Sequence, residues 1–182
     1  MTQRALIVVA DGIDDLQSVN VIDVLRRAEV EVVVASIESR RMLTAARGTR
    51  ITADAMLVDV LAQPFDLIVL PGGMPGAEHL AAYQPLAQRL VEQMKAGFLF
   101  AAIGEAPAVA LQGYGVLKQR RMTCHPDVSS RLSGCVFIDQ PVVVDGNCIT
   151  AQGSTVALEF ALVLVELLCG KGRRAAVLKM LG

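Results

Sequence analysis

Ser154, His125 and Glu105 are the residue types an acyl-transfer site needs: a hydroxyl nucleophile, an imidazole to take its proton, and a carboxylate to orient the imidazole and stabilise its charged form. The order Glu, His, Ser along the chain is no obstacle, because this constellation recurs in several unrelated orders. On this reading Ser154 attacks a small activated ester as a serine hydrolase. The amides of Thr155 and Val156, at the start of the last long helix, would face the oxyanion, each well-placed donor contributing roughly 3–4 kcal/mol. A second scheme uses Glu105 alone, as a general base removing a proton from carbon; burial would raise its pKa and a helix N-terminus would lower it. Each residue also has a structural reading. Ser154 precedes an apolar helix and would serve as its N-cap, worth about 1 kcal/mol. Glu105 at a helix start would gain about 0.3–1 kcal/mol from the dipole.

These residues need a scaffold that brings them together. Apolar runs at 4–10, 30–36, 66–70 and 98–103 read as strands, and the segments between the first two and between the last two have helical periodicity, as a parallel α/β sheet requires. Asp14 or Asp15 caps the first helix, Val19, Val21, Ile22 and Leu25 form its buried face, and Arg26 and Arg27 suit its C-terminal end. Residues 42–56 predict a hairpin around Gly48, and 120–151 predict brief strands at 142–144 and 148–150. Helices are expected at about 155–169 and 171–180. Ligands of open parallel sheets bind beyond the carboxyl ends of the strands, which collects residues 11–17, 71–76 and 104–107 with His125 and Ser154.

The 182 residues, 53% hydrophobic, suffice for one core and a single domain over 1–182. Lys and Arg number 17 against 18 for Asp and Glu, with no basic run, so a nucleic-acid partner is not expected. The N-terminal apolar run lacks a signal cleavage site, and 156–168 is too short to span a bilayer and contains Glu159 and Glu166, so no membrane partner is expected either. The four cysteines show no paired spacing and meet only two histidines, which predicts no metal, no disulfide framework and a reducing cytoplasm. No cofactor is implied. Pro71 to Gly76 lacks the Gly-Lys-Ser/Thr ending of a phosphate loop and reads as a tight turn. Cys124 and its strand neighbour His125 should point to opposite faces, so they do not make one site. His79 reads as a surface helix residue, and Phe98 and Phe100 as core or as an aromatic pocket wall.

Arg4-Ala-Leu followed by Gly12 and an acidic pair, Arg26-Arg27-Ala28, Leu70-Pro-Gly-Gly73, Ala101-Ala-Ile103, His125-Pro126 and Glu159-Phe-Ala-Leu162 occur in the order and spacing of one family. Over nearly its whole length the chain resembles the ThiJ/PfpI superfamily, in its DJ-one-like branch with a class I glutamine amidotransferase-like fold. The resemblance implies a flavodoxin-like three-layer sandwich with a mostly parallel central sheet, usually a homodimer, acting on a small molecule. It also implies a cysteine after Ala-Ala-Ile on a strained strand-to-helix turn, and a glutamate on the first helix bonded to the thiolate. Here those positions are Gly104 and Gln17. The position after the turn, usually small, is Glu105, and Ser154 stands where the resemblance puts proline. Arg47 matches an arginine near the pocket mouth. Without the thiol, the family's glyoxalase, deglycase and protease-like adducts are not expected. Four changes in one pocket suggest a rebuilt, engineered active site. The alternative is a catalytically silent scaffold, or an anion site at the amides of Gly73, Gly104 and Glu105.

Overall fold

In the computed structural model, which describes residues 2–182, the first apolar run forms β1 (Arg4–Val9), whose residues Ala5 to Val9 have no exposed surface. A strand buried on both faces belongs inside a sheet covered by two helical layers, and β1 lies there. The strands that follow are β2 (Glu31–Ser36), β3 (Met42–Thr44), β4 (Arg50–Thr52), β5 (Ala55–Met56), β6 (Leu67–Leu70), β7 (Leu99–Ile103), β8 (Arg121–Met122), β9 (Val136–Phe137), β10 (Val142–Asp145) and β11 (Cys148–Ala151). Seven of them make the main sheet in the order β10-β11-β7-β6-β1-β2-β5, parallel throughout except for β10 against β11. The hairpin expected around Gly48 is the separate pair β3–β4.

The helices are α1 (Asp15–Arg27), α2 (Leu57–Val60), α3 (Gly76–Ala82), α4 (Gln84–Lys95), α5 (Ala157–Cys169) and α6 (Lys171–Leu181). Helices α1, α5 and α6 pack together, while α3 packs on α4 and on a π-helical turn at Pro107–Leu111. The architecture is an α/β sandwich with a mostly parallel seven-stranded sheet flanked by helices. No helix among the described residues is long and apolar enough to cross a membrane.

Of the two capping candidates, Asp14 caps α1 by accepting the Gln17 amide at 2.8 Å. Other local expectations are corrected. The buried stripe of that helix is Gln17, Ser18, Val21, Val24 and Leu25, at helical spacing, whereas Val19 falls off the stripe and is half exposed. Ser154 does not cap α5: residues 154–156 form a 3-10 turn, and the helix starts at Ala157 without a side-chain cap. After β7 the chain makes the short π-helical turn, in which the Gln112 amide reaches the Pro107 carbonyl. Glu105 therefore precedes a distorted turn and not a regular helix. Phe100 is fully buried beneath the Arg120 guanidinium and Phe98 is exposed before β7, so neither lines a pocket at the far end of that strand.

Parallel strands share an edge. The carboxyl ends of β1, β6, β7 and β11 lie on one side of the sheet, and the loops that leave them bring together Asp14, Gly72, Gly73, Gly104, Glu105 and Ser154.

Candidate active site

Gly104 ends β7 in a left-handed turn, φ +68, that a glycine adopts without steric cost. A Cβ on this residue would lie 2.8 Å from Gln17 Nε2 and 2.9 Å from its Oε1, so the Gln17 side chain fills the space above the turn. Gln17 is buried on the first turn of α1, and its amide orientation follows from its partners. The buried Gly72 N–H requires an acceptor and finds Gln17 Oε1 at 2.9 Å. Nε2 therefore faces the other way and donates to Ser154 Oγ at 3.1 Å. Ser154, having received that N–H, donates its own proton to Asp14 Oδ2 at 3.1 Å. The Asp14 amide closes the ring by donating to the Gly72 carbonyl at 2.7 Å.

Glu105 turns back from the β7 turn. Its Oε2 accepts the Gly73 amide at 2.7 Å and sits so near Gly72 that a Cβ there would come within 2.6 Å of it. The carboxylate thus occupies the amide donor at the mouth of the β6 loop. It also makes Gly72 a position where a side chain would collide.

A cleft of about 370 Å³ opens over these residues, and Ser154, His125 and Glu105 all line it, together with Asp14, Gln17 and Arg47. The hydrogen bonds of a triad are not made among them. Ser154 is bonded to Gln17 and Asp14, Glu105 to Gly73, and His125 Nδ1 accepts the Asp127 amide at 3.3 Å with the Asp127 carboxylate 3.7 Å away. The amides expected to receive an oxyanion are also taken. The Val156 N–H goes to the Gly153 carbonyl at 3.1 Å, the Gly104 N–H to the Ala151 carbonyl at 3.0 Å, and the Gly73 N–H to Glu105. Of the expected donors that line the cleft, the Thr155 and Glu105 amides have no backbone partner among the described residues. The anion site expected at the amides of Gly73, Gly104 and Glu105 is therefore corrected at two of its three donors: the Gly73 amide carries an internal carboxylate and the Gly104 amide bonds the end of β11, while the Glu105 amide has no backbone partner among the described residues.

From the sequence Asp14 reads as a helix cap. A cap uses one carboxylate oxygen, here Oδ1, and leaves the second free for another partner. Gln152, another lining residue, is turned outward to Asp139 at 2.8 Å.

No cysteine compensates for the missing thiol. Cys124 is buried next to the cleft, and burial, with the charge of Glu105 a lesser cause, pushes its thiol up to about 11. Cys148 is pushed to about 12 by burial, and Cys135 and Cys169 are also raised by burial. A thiol with a pKa of 11 is thiolate on the order of 10⁻⁴ of the time at neutral pH. Native protein at pH 7.5 is expected to show no fast-reacting thiol toward iodoacetamide, with reactivity rising as pH is raised and Cys124 and Cys148 the last to react, whereas urea-unfolded protein reacts at all four cysteines. One rapidly alkylated cysteine in the native state at pH 7.5 would contradict this. Among the described residues, no group of three or more His, Cys, Asp or Glu side chains is arranged to hold a metal ion.

Comparison with known proteins bears on the whole chain. The DJ-1/PfpI family model matches residues 3–167. Protein DJ-1 homolog B of Arabidopsis thaliana is 39% identical over 177 residues, 97% of this chain but 40% of the plant protein, so the chain spans about two fifths of that relative's length. A Caenorhabditis elegans protein named glutathione-independent glyoxalase DJR-1.2 is 36% identical over 92% of this chain and 91% of its own. The crystal structure of Drosophila melanogaster DJ-1beta superposes with a TM-score of 0.97 at 35% identity, covering 100% of this chain and 98% of the other.

Proposed function

The chain belongs to the DJ-1/PfpI family, and from that premise we propose that it is a thiol-free member that holds a small polar molecule in the elbow cleft by hydrogen bonds alone. The observation that carries this reading is the seating of Glu105 on the Gly73 amide at 2.7 Å beside a Gly104 turn filled by Gln17. A family glyoxalase adduct needs a nucleophile at that turn and a free donor for the oxygen it charges. Here the first is replaced by hydrogen, and the Gly73 donor is taken by a carboxylate. Gln17, Gly104 and Ser154 join in one contact network with Glu105 at its edge, which supports reading the four departures as a site rebuilt as a unit, by design or by descent.

A second reading, ester hydrolysis at Ser154, is favoured by one observation: the hydroxyl proton is directed to the Asp14 carboxylate at 3.1 Å, so Asp14 would stand where His125 was expected to act as base. Incubation with a fluorophosphonate followed by peptide mass spectrometry separates the two. The binding reading predicts no stoichiometric adduct. An adduct on Ser154 that is lost in Asp14→Asn would replace it with the hydrolase reading, and one lost instead in His125→Ala would restore the expected triad.

The partner assembly is proposed as a homodimer through α1 and α5, where Leu16, Val19 and Leu158 stay 52%, 50% and 40% exposed. Asn20 Oδ1 is buried beside them without a hydrogen-bond partner, which supports a second copy completing this face. Light scattering is expected to give the dimer mass for native protein and the monomer mass for Leu16→Asp with Leu158→Asp; a native monomer at micromolar concentration would exclude it. The unpaired cysteines suit a reducing compartment such as the cytoplasm.

A further inference from the structure

The cleft is polarised between hydrogen-bond acceptors on its floor and donors on its rim, and we infer that its ligand is a small zwitterion of the amino-acid type, with the ammonium bound below and the carboxylate above. This rests on the non-covalent binding reading and names the ligand class for that same site. On the floor, the direction of the hydrogen bonds is fixed by the buried Gly72 N–H. That group orients Gln17, Gln17 donates to Ser154, and Ser154 donates to Asp14, so the Ser154 hydroxyl has no proton left to offer and only a lone pair remains. Asp14 and Glu105 offer carboxylate oxygens, which accept and never donate when ionised. Glu105 uses Oε2 on Gly73, and no protein donor reaches its Oε1 among the described residues. The side chains of the floor therefore ask for a group with several donors and a positive charge.

The rim has the opposite character. Arg47 lines the cleft on the loop between β3 and β4, and its guanidinium has no hydrogen-bonded acceptor or ion-pair partner among the described residues; only its backbone amide is bound, to Asp15 at 2.8 Å. His125 accepts the Asp127 amide through Nδ1, which in the neutral ring leaves the proton on Nε2. The ring lies against the cleft wall, its Cδ2 3.4 Å from where a Cβ on the lining residue Gly153 would be. An unpaired guanidinium with an imidazole beside it in the cleft lining suits a carboxylate. A simple anion would meet the two floor carboxylates, and a simple amine would leave Arg47 unpaired, so the two halves are required in one molecule.

The test is a titration of ¹⁵N-labelled native protein with L-alanine, N-acetyl-L-alanine, L-alaninamide and glycerol, following the amides of Gly73, Gly104, Ser154 and Thr155. L-Alanine is expected to shift these resonances, and each half-charged analogue to bind about tenfold more weakly or worse, as loss of one charged hydrogen-bonding group implies. Glu105→Gln should weaken alanine while leaving N-acetyl-L-alanine unchanged or tighter, and Arg47→Met should weaken alanine and N-acetyl-L-alanine while sparing alaninamide. If N-acetyl-L-alanine or alaninamide binds as well as alanine, or if glycerol alone shifts the site, the zwitterion inference fails and non-covalent binding stands. If none of the four moves these resonances, the binding reading itself fails with it.

Discussion

Gly104→Cys combined with Gln17→Glu is expected to produce a single fast-reacting thiol and to bring in turnover of a 2-oxoaldehyde such as methylglyoxal. The Gly104 turn already has the left-handed conformation, φ +68, and a side chain forced to adopt it costs roughly 1–2 kcal/mol, which a domain of ordinary stability tolerates. In either variant the new Cβ lies 2.8 Å from the end of the side chain at position 17, a flexible group that must shift slightly, and Gly104→Cys alone gives the sulfur no carboxylic acid to share a proton with. The paired Gln17→Glu change supplies that group, and a positioned proton-transfer partner is typically worth about 10²- to 10⁴-fold in rate. Because the Glu105 carboxylate lies in the same cleft, its charge opposes thiolate formation, so adding Glu105→Ala should speed alkylation further. Iodoacetamide labelling at pH 7 with peptide mapping, alongside lactate formation, measures both effects. A folded double variant whose new thiol reacts no faster than the four native cysteines would show that the turn is no longer a nucleophile site at all.

Gly73→Ala is expected to destabilise the domain far more than Gly48→Ala, although both glycines have φ +92. The left-handed backbone costs each alanine roughly 1–2 kcal/mol. At Gly48 nothing lies within 4 Å of the added Cβ, so the effect ends there. At Gly73 the Cβ would fall on the backbone amide nitrogen of Asp14, with the Ile13 carbonyl carbon 2.6 Å away, and backbone cannot yield as a flexible side chain does. Together these add to about 3 kcal/mol or more, which for a domain of this size lowers Tm by about 10 °C, against a few degrees for Gly48→Ala. Thermal unfolding of the two variants checks this. Equal shifts would mean that the β6 loop is free to move off the Asp14 backbone.

Residue types alone indicated most of the scaffold, because a strand buried on both faces must be written in continuous apolar residues. The runs beginning at Arg4, Val30, Asp66 and Phe98 became β1, β2, β6 and β7 with bounds shifted by a residue or so. The cleft was legible from the same argument, since parallel strands end on one edge. The bonds inside the cleft were not. Asp14 looked like a cap and Ser154 looked like one too, and a one-dimensional pattern does not show that the second Asp14 oxygen binds a hydroxyl 140 positions away. Nor does it show that the amides of Gly73, Gly104 and Val156 have partners of their own, because hydrogen-bond satisfaction is decided by tertiary contacts. The triad was inferred from residue types that do share the cleft, and its missing element is mutual orientation. The π-helical turn after Glu105 was likewise hidden, because Pro107 and the small apolar residues after it read as an ordinary helix start.

A cleft that binds and does not form adducts leaves methylglyoxal unconverted, and lactate formation by the native protein measures this most directly. No lactate above a protein-free control is expected at pH 7.5, with the Gly104→Cys, Gln17→Glu variant as the positive comparison. Turnover by the native chain that disappears in Glu105→Gln or Ser154→Ala would contradict it, and would place a working nucleophile or base in a site read here as closed to covalent chemistry.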